Sequence, residues 1–218
     1  MESLSIWFEY FREVAGGLGN ASQLASISLA LGFPLAVGLA ILLDHKRKAI
    51  RWIAIVLVEL GRGIPLLVLL YIFYQGLPQV GVIPSSLTSA ILAFTWSTAG
   101  YATEIVRASI HGVSKGQLEA ADSIGLNSRD RLKFIVIPQA LRISIPPLLG
   151  LAIIMFQLTS LAYVITFSEI MQAAYFLGTK TFDYLLVFSA TAAVYASITI
   201  PFSLLLSQLE KRISRHVM

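Results

Sequence analysis

The chain contains no cysteine, only three histidines, and charge on just 13% of its 218 residues. Without cysteine there is no disulfide, no thiolate nucleophile and no thiolate metal site. His45, His111 and His216 stand far apart in polar connecting segments, which reads as solvated surface and not as a metal centre. A soluble domain carries about 25% charged residues. Half of that, with 56% hydrophobic residues and a mean hydropathy of +0.78, makes the chain a membrane protein. The G-x-x-x-x-G-K-[ST] phosphate loop is missing too, so the chain does not bind ATP in that manner. No H-E-x-x-H, nucleophile and base arrangement, or paired catalytic carboxylates occur in the apolar runs, so the chain by itself is not read as an enzyme. The formal charge of +4 lies in short clusters at the ends of those runs, where lipid headgroups explain it more simply than nucleic acid. The opening MESLSIWFEYFREV lacks the basic region and short apolar core of a cleaved signal and is read as mature chain.

What is present is a series of long apolar runs. A helix crossing about 30 Å of hydrocarbon needs roughly 20 residues. Four runs reach this without charge: Ser22 to Leu43, Pro84 to Thr103, Ile143 to Ser168 and Tyr184 to Leu209. A fifth, Trp52 to Gln75, contains Glu59 and Arg62 and continues into the turn-rich QGLPQVGVIPSS. The expected fold is therefore an all-α membrane protein of five transmembrane helices.

Short cytoplasmic loops carry the excess of Lys and Arg. Lys46, Arg47, Lys48 and Arg51, then Arg107, Lys115, Arg129, Arg131, Lys133 and Arg142, then Lys211, Arg212 and Arg215 all fall on one side. The other side keeps Arg12 and Lys180 beside Glu2, Glu9, Glu13, Glu169 and Asp183. The N-terminus is placed outside and the C-terminus in the cytoplasm, as an odd number of spans requires. In residues 1–18, Trp7, Phe8, Tyr10 and Phe11 fit either an interfacial helix on the outer leaflet or an aromatic belt anchoring the first span.

The long cytoplasmic loop, residues 108–142, is polar and helix-prone. Ser114 followed by Gln117 has the form of a capping box, Leu118, Ala121 and Ile124 recur on one side of the helix it opens, and Gly125 suits that helix's end. Asn127 or Ser128 can cap a second short helix that Pro138 ends or kinks. This predicts helix, tight turn, helix: either an amphipathic loop resting on the membrane or a projection shaped for a groove on a cytoplasmic partner. Tethering by the flanking spans disfavours a DNA-reading helix-turn-helix.

Glu119-Ala120-Ala121, then Gly125, then Ile137-Pro138-Gln139-Ala140-Leu141-Arg142 and Pro146-Pro147 resemble the EAA loop of ABC importer permeases of the polar amino acid uptake branch. Glu59 to Leu66, Glu104-Ile105-Val106-Arg107, Lys115-Gly116-Gln117 and Thr159-Ser160-Leu161 are similar to that branch's pattern in its order, and the likeness covers roughly residues 20 to 210. The resemblance implies one transmembrane permease domain, 1–218, whose loop carries a coupling helix with Glu119, Ala120, Ala121 and Gly125 in its motif. It also implies a homologous or identical second permease and two ATP-binding subunits that hold ATP and Mg. An extracytoplasmic solute-binding protein would deliver ligand, and the site would be the bacterial inner membrane.

Charged groups inside a span usually face a cavity or a partner. Arg62 lies among Gly61, Gly63 and Pro65, where a broken helix would favour an anionic group. Ser97, Thr98 and Tyr101, with Glu104 nearer the cytoplasm, and Gln157, Thr159 and Ser160 fall at about the same depth. The functional reading is a substrate site in which Arg62 meets a carboxylate while Gln157, Thr159 and Ser160 supply further bonds. The structural alternative pairs Arg62 with Glu59 or Glu104 and spends the hydroxyls on neighbouring carbonyls. Many relatives have Lys before the Thr-Ser pair where this chain has Gln157-Leu158, which resembles acidic amino acid permeases more than basic ones and leaves open that the site belongs mainly to the partner permease. A self-sufficient secondary carrier would need coupling-ion ligands and usually paired repeats, and a scaffold without transport would leave the polar layer unexplained.

Overall fold

A computed structural model describes residues 2–214, so Arg215 and His216 of the sequence argument lie outside the described residues. The described chain is helical, with no strand among the described residues. Helix α1 (Glu2–Ala15) leads through Gly16 and Gly17 into α2 (Leu18–Leu43), then α3 (Lys48–Gly63) and α4 (Leu66–Tyr71), which runs on as a π turn (Ile72–Gly76) and a 3-10 turn (Leu77–Val80). Next come α5 (Ser86–His111), the short α6 (Lys115–Ser123) and α7 (Ser128–Arg131), and α8 (Ile137–Leu158) with a 3-10 extension (Thr159–Ile165). Helices α9 (Ile170–Thr181) and α10 (Tyr184–Ser214) close the chain.

Among the described residues three helical stretches are long and apolar enough to cross a membrane: Ser3–Leu43, Ser128–Ile165 and Tyr184–Arg212. A fourth is the pair Lys48–Gly63 and Leu66–Val80, bent by 103°. The run expected as the second span is thus broken, at the Gly61, Gly63 and Pro65 cluster where the sequence anticipates a broken helix. Pro65 lacks an N–H and holds the preceding Ile64 extended, at φ −86° and ψ 128°, so the helix cannot pass through. Helix α5 has the length of a span but not the greasiness, because it is the centre of the bundle. It packs against α2, α3, α4 and α8, and a helix surrounded by protein need not be apolar on every face.

Small residues bring these helices together. A Cβ on Gly100 would lie 2.8 Å from the backbone N of Arg62 and 2.9 Å from the carbonyl carbon of Gly61, so α3 and α5 touch backbone to backbone. Gly32 of α2 sits equally close to Thr98, and Thr103 Oγ1 donates to the Ala36 and Ala99 carbonyls at 3.3 and 2.6 Å. Around this spine Leu24, Leu69, Leu70, Phe94, Met155 and Ile165 form the main core.

One end of the bundle is tied by α1 and α9. Val14, Ala21, Ile170, Ala174, Val187 and Val194 form a second core, the Trp7 indole donates to Ser189 Oγ at 2.9 Å, and Asn20 donates to the Ser168 carbonyl at 2.5 Å. Leu4 and Phe8 remain exposed on α1, so that helix has one face on protein and one outward. At the opposite end Asp44, closing α2, faces Arg107 of α5 at 3.9 Å, and the α6 to α7 hairpin follows α5 directly. Pro138 neither ends nor breaks its helix: it sits in the first turn of α8, and a π turn (Leu132–Val136) carries α7 into it.

Candidate functional site

The hairpin is built for rigidity. Gly125 takes a left-handed φ of +78°, its N–H bonds the Asp122 carbonyl at 3.0 Å, and the Leu126 N–H bonds the Ala121 carbonyl at 3.1 Å, which is a Schellman closure. Asn127 then caps α7, its side chain accepting from the N–H groups of Arg129 and Asp130, both at 3.0 Å. Arg131 reaches back to Asp122 at 2.5 Å, clamping one helix to the other. Ser114 is the N-cap of α6, but its side chain makes no capping bond, so the expected capping box is not formed. Leu118 rests on Val113, Val136 and Ala140. Within the motif Glu119, Ala120 and Gly125 are exposed and Ala121 is buried. Ala121 therefore seats the helix, while Glu119 and Ala120 lie on the free side and Ile124, 76% exposed, stands at the tip.

In the bundle, Arg62 pairs with Glu59, at 2.6 Å from Nη2 to Oε1 and 3.2 Å from Nε to Oε2. Glu104 instead faces Arg107 at 3.8 Å. The α3 backbone ends here, and the Arg62 carbonyl that loses its helical partner accepts from Tyr101 Oη at 3.1 Å. Gly61 does not loosen this helix, since a Cβ on it would strike the Trp96 carbonyl at 2.7 Å; Gly63 faces open space. The Glu59 and Arg62 side chains are 53% and 38% exposed. Two charges on an outward face within the bent span cannot face hydrocarbon cheaply, so this face meets water or protein.

The residues expected on α8 separate. Thr159 is fully buried and its hydroxyl donates to the Phe156 carbonyl at 2.7 Å, so it closes a turn. Gln157 is exposed and Ser160 half-buried, which leaves these two accessible. Ser97 and Thr98 of α5 are buried. Helix α5 packs against both α3, which carries Arg62, and α8, which carries Gln157. A mostly apolar groove of about 460 Å³ between α2, α8 and α10, lined by Leu29, Phe156, Phe202 and Leu206 with Ser22, Ser26 and Thr199 and no charge, offers a polar ligand few partners.

The charge pattern of the sequence set Glu169 on the outer side, just past a span. It is 1% exposed, caps α9 by accepting from the Met171 and Gln172 N–H groups at 2.8 Å each, and accepts from Tyr195 Oη at 3.0 Å. Burial pushes its pKa up to about 7, against the pull of those three donors. An acid before an apolar helical run is an N-cap signal; its burial comes with distant segments, Tyr195 of α10 and Gly17, which no local pattern announces.

Residues 32–217 match the family described as the inner membrane component of binding-protein-dependent transport systems. The chain belongs to this family. Relatives of the permease include the probable amino-acid ABC transporter permease protein YckA of Bacillus subtilis (strain 168), 34% identical with 96% of this chain and 92% of that protein covered. The L-cystine transport system permease protein TcyB of the same organism is 37% identical, over 94% of this chain and 88% of that one. Among solved structures, the crystal structure of an amino acid ABC transporter with histidines superposes on the permease with a TM-score of 0.91 at 31% identity, covering 97% and 99% of the two chains. The permease is a multi-pass membrane protein.

Proposed function

We propose that this permease is the membrane-spanning subunit of an ATP-driven importer of polar amino acids in the bacterial inner membrane. Its five spans are α2, the bent α3 and α4 pair, α5, α8 and α10, with the α1 and α9 end outside and the α6 to α7 hairpin in the cytoplasm. It forms the translocation path with a second, identical or homologous permease and takes ligand from an extracytoplasmic binding protein. Two cytoplasmic ATP-binding subunits hold ATP and Mg and drive the pair between inward and outward openings.

The observation that carries this reading is the hairpin: a polar projection, clamped by a Schellman turn and by the pairing of Arg131 with Asp122, that offers Glu119, Ala120 and Ile124 to a cytoplasmic groove. A docking element transmits force only if it is stiff. The names of the relatives support amino acids as the cargo. In the bundle, Arg62 meets the ligand carboxylate and exchanges some of its contact with Glu59, while Gln157 and Ser160 meet polar groups of the ligand. Thr159 holds the turn that presents them.

The test is to purify the permease with the ATPase it retains, reconstitute it in lipid, and measure ATP hydrolysis against a panel of amino acids with the binding protein present. Stimulation by one chemical class supports the proposal and names the cargo. Uptake by this chain alone, driven by an ion gradient, would show a secondary carrier instead.

A further inference from the structure

Helix α3 begins against the sign of its own dipole. The N-terminus of a helix carries partial positive charge and favours anions, yet Lys46, Arg47, Lys48 and Arg51 fill the approach and first turn, with no acidic residue there. All four are exposed. None pairs with a carboxylate among the described residues, and the nearest acid in the chain, Asp44, faces Arg107. The Arg47 N–H is satisfied locally by His45 Nδ1 at 3.0 Å, while no side chain caps the first turn of α3. Directly beyond them Trp52, Ile53 and Val56 point outward, at 61%, 62% and 50% exposure, while Ala54 and Val58 are turned into the core formed with Leu39, Leu43 and Ala99.

We propose that this corner of the permease binds an anionic phospholipid of the leaflet nearest the hairpin. The headgroup phosphate lies among Lys46, Arg47, Lys48 and Arg51, and the acyl chains run along Trp52, Ile53 and Val56. Charge complementarity names the headgroup, and the apolar face continuing from the cations into the span names a lipid. Free phosphate or an acidic protein surface would satisfy the cations and leave that apolar face uncovered. The inference does not depend on which solute is moved.

Trp52 is its own reporter. Trp52 emission is isolated as the difference between the reconstituted complex and its Trp52→Phe variant, in vesicles containing brominated phosphatidylglycerol or brominated phosphatidylcholine. Quenching should favour the anionic lipid. The preference should fall about 25-fold in Lys48→Gln/Arg51→Gln, since each basic residue near an anionic surface is worth about fivefold, and should collapse in about 0.5 M salt. Lys46 and Arg47 remain in the variant to keep the loop's positive charge, and protease accessibility of the loop checks orientation. Equal quenching by the two lipids, or a preference that survives the double substitution, would overturn the proposal. Shielding of Trp52 from both lipids in the intact complex would place a protein there instead, and would overturn it too.

Discussion

Replacing Gly100 with alanine tests the contact on which the bent span depends. The added Cβ would lie 2.8 Å from the Arg62 nitrogen, 2.9 Å from the Gly61 carbonyl carbon and 3.1 Å from the Val58 carbonyl oxygen. All three are backbone atoms of α3, so no rotamer change relieves the clash. Comfortable non-bonded contact is about 3.5 Å or more, so α3 must retreat by about half an ångström or more. That retreat strains the bond from Tyr101 to the Arg62 carbonyl and the one from Trp96 Nε1 to the Leu57 carbonyl at 2.9 Å. Overpacking costs about 1–3 kcal/mol and each lost hydrogen bond about 1 kcal/mol, against about 1 kcal/mol returned by the better helix propensity of alanine. The net expectation is a loss of about 1–4 kcal/mol. Gly63, two residues from Gly61, is the control: nothing lies within 4 Å of its Cβ position, so Gly63→Ala should be neutral or stabilising. Denaturant unfolding of the purified permease in detergent, followed by circular dichroism, compares the two. If Gly100→Ala unfolds with the wild-type midpoint, α3 and α5 do not meet as described.

Three further outcomes follow from the same geometry. Gly125→Asp should leave insertion intact but separate ATP hydrolysis from uptake, because a side chain at φ +78° costs about 1–2 kcal/mol at the turn that stiffens the hairpin; normal coupled uptake would count against the docking role. Glu169 has its pKa raised in the folded state, from 4.5 to about 7, so the folded state holds the extra proton and stability should fall as pH rises through that window, by up to about 3 kcal/mol, with Glu169→Gln removing the slope. A flat wild-type profile in pH-dependent unfolding would mean that the three donors keep it ionised. Gln157→Ala with Ser160→Ala should lower transport without loss of stability, whereas Thr159→Val should cost about 1 kcal/mol of stability because its buried hydroxyl is bonded to Phe156; unchanged uptake in the double variant would remove these two from the path.

Composition alone placed the chain in a membrane, and charge-free runs located α2 and α10 to within about a turn and a half and overlapped α8 and its 3-10 extension less closely, because lipid solubility is a local, additive property of a segment. The hairpin was legible for the same reason: Gly125 and Asn127 act on their own backbone neighbours, as turn and cap residues do. What the sequence could not rank were the partners of polar groups. Ala121 and Glu119 are near neighbours in one motif, yet one seats the helix and the other faces out; Thr159 and Ser160 are adjacent, yet only one is buried. Arg62 had two carboxylates within plausible reach: Glu59, one turn back on α3, holds it, while Glu104 of α5 faces Arg107. Glu169 became a buried, three-donor acid because Tyr195 of α10 returns to it and the α1 to α2 junction at Gly17 packs on its backbone. Burial and pairing are decided by helices distant in sequence, so they belong to the tertiary structure, while span, turn and cap are properties of the segment that carries them.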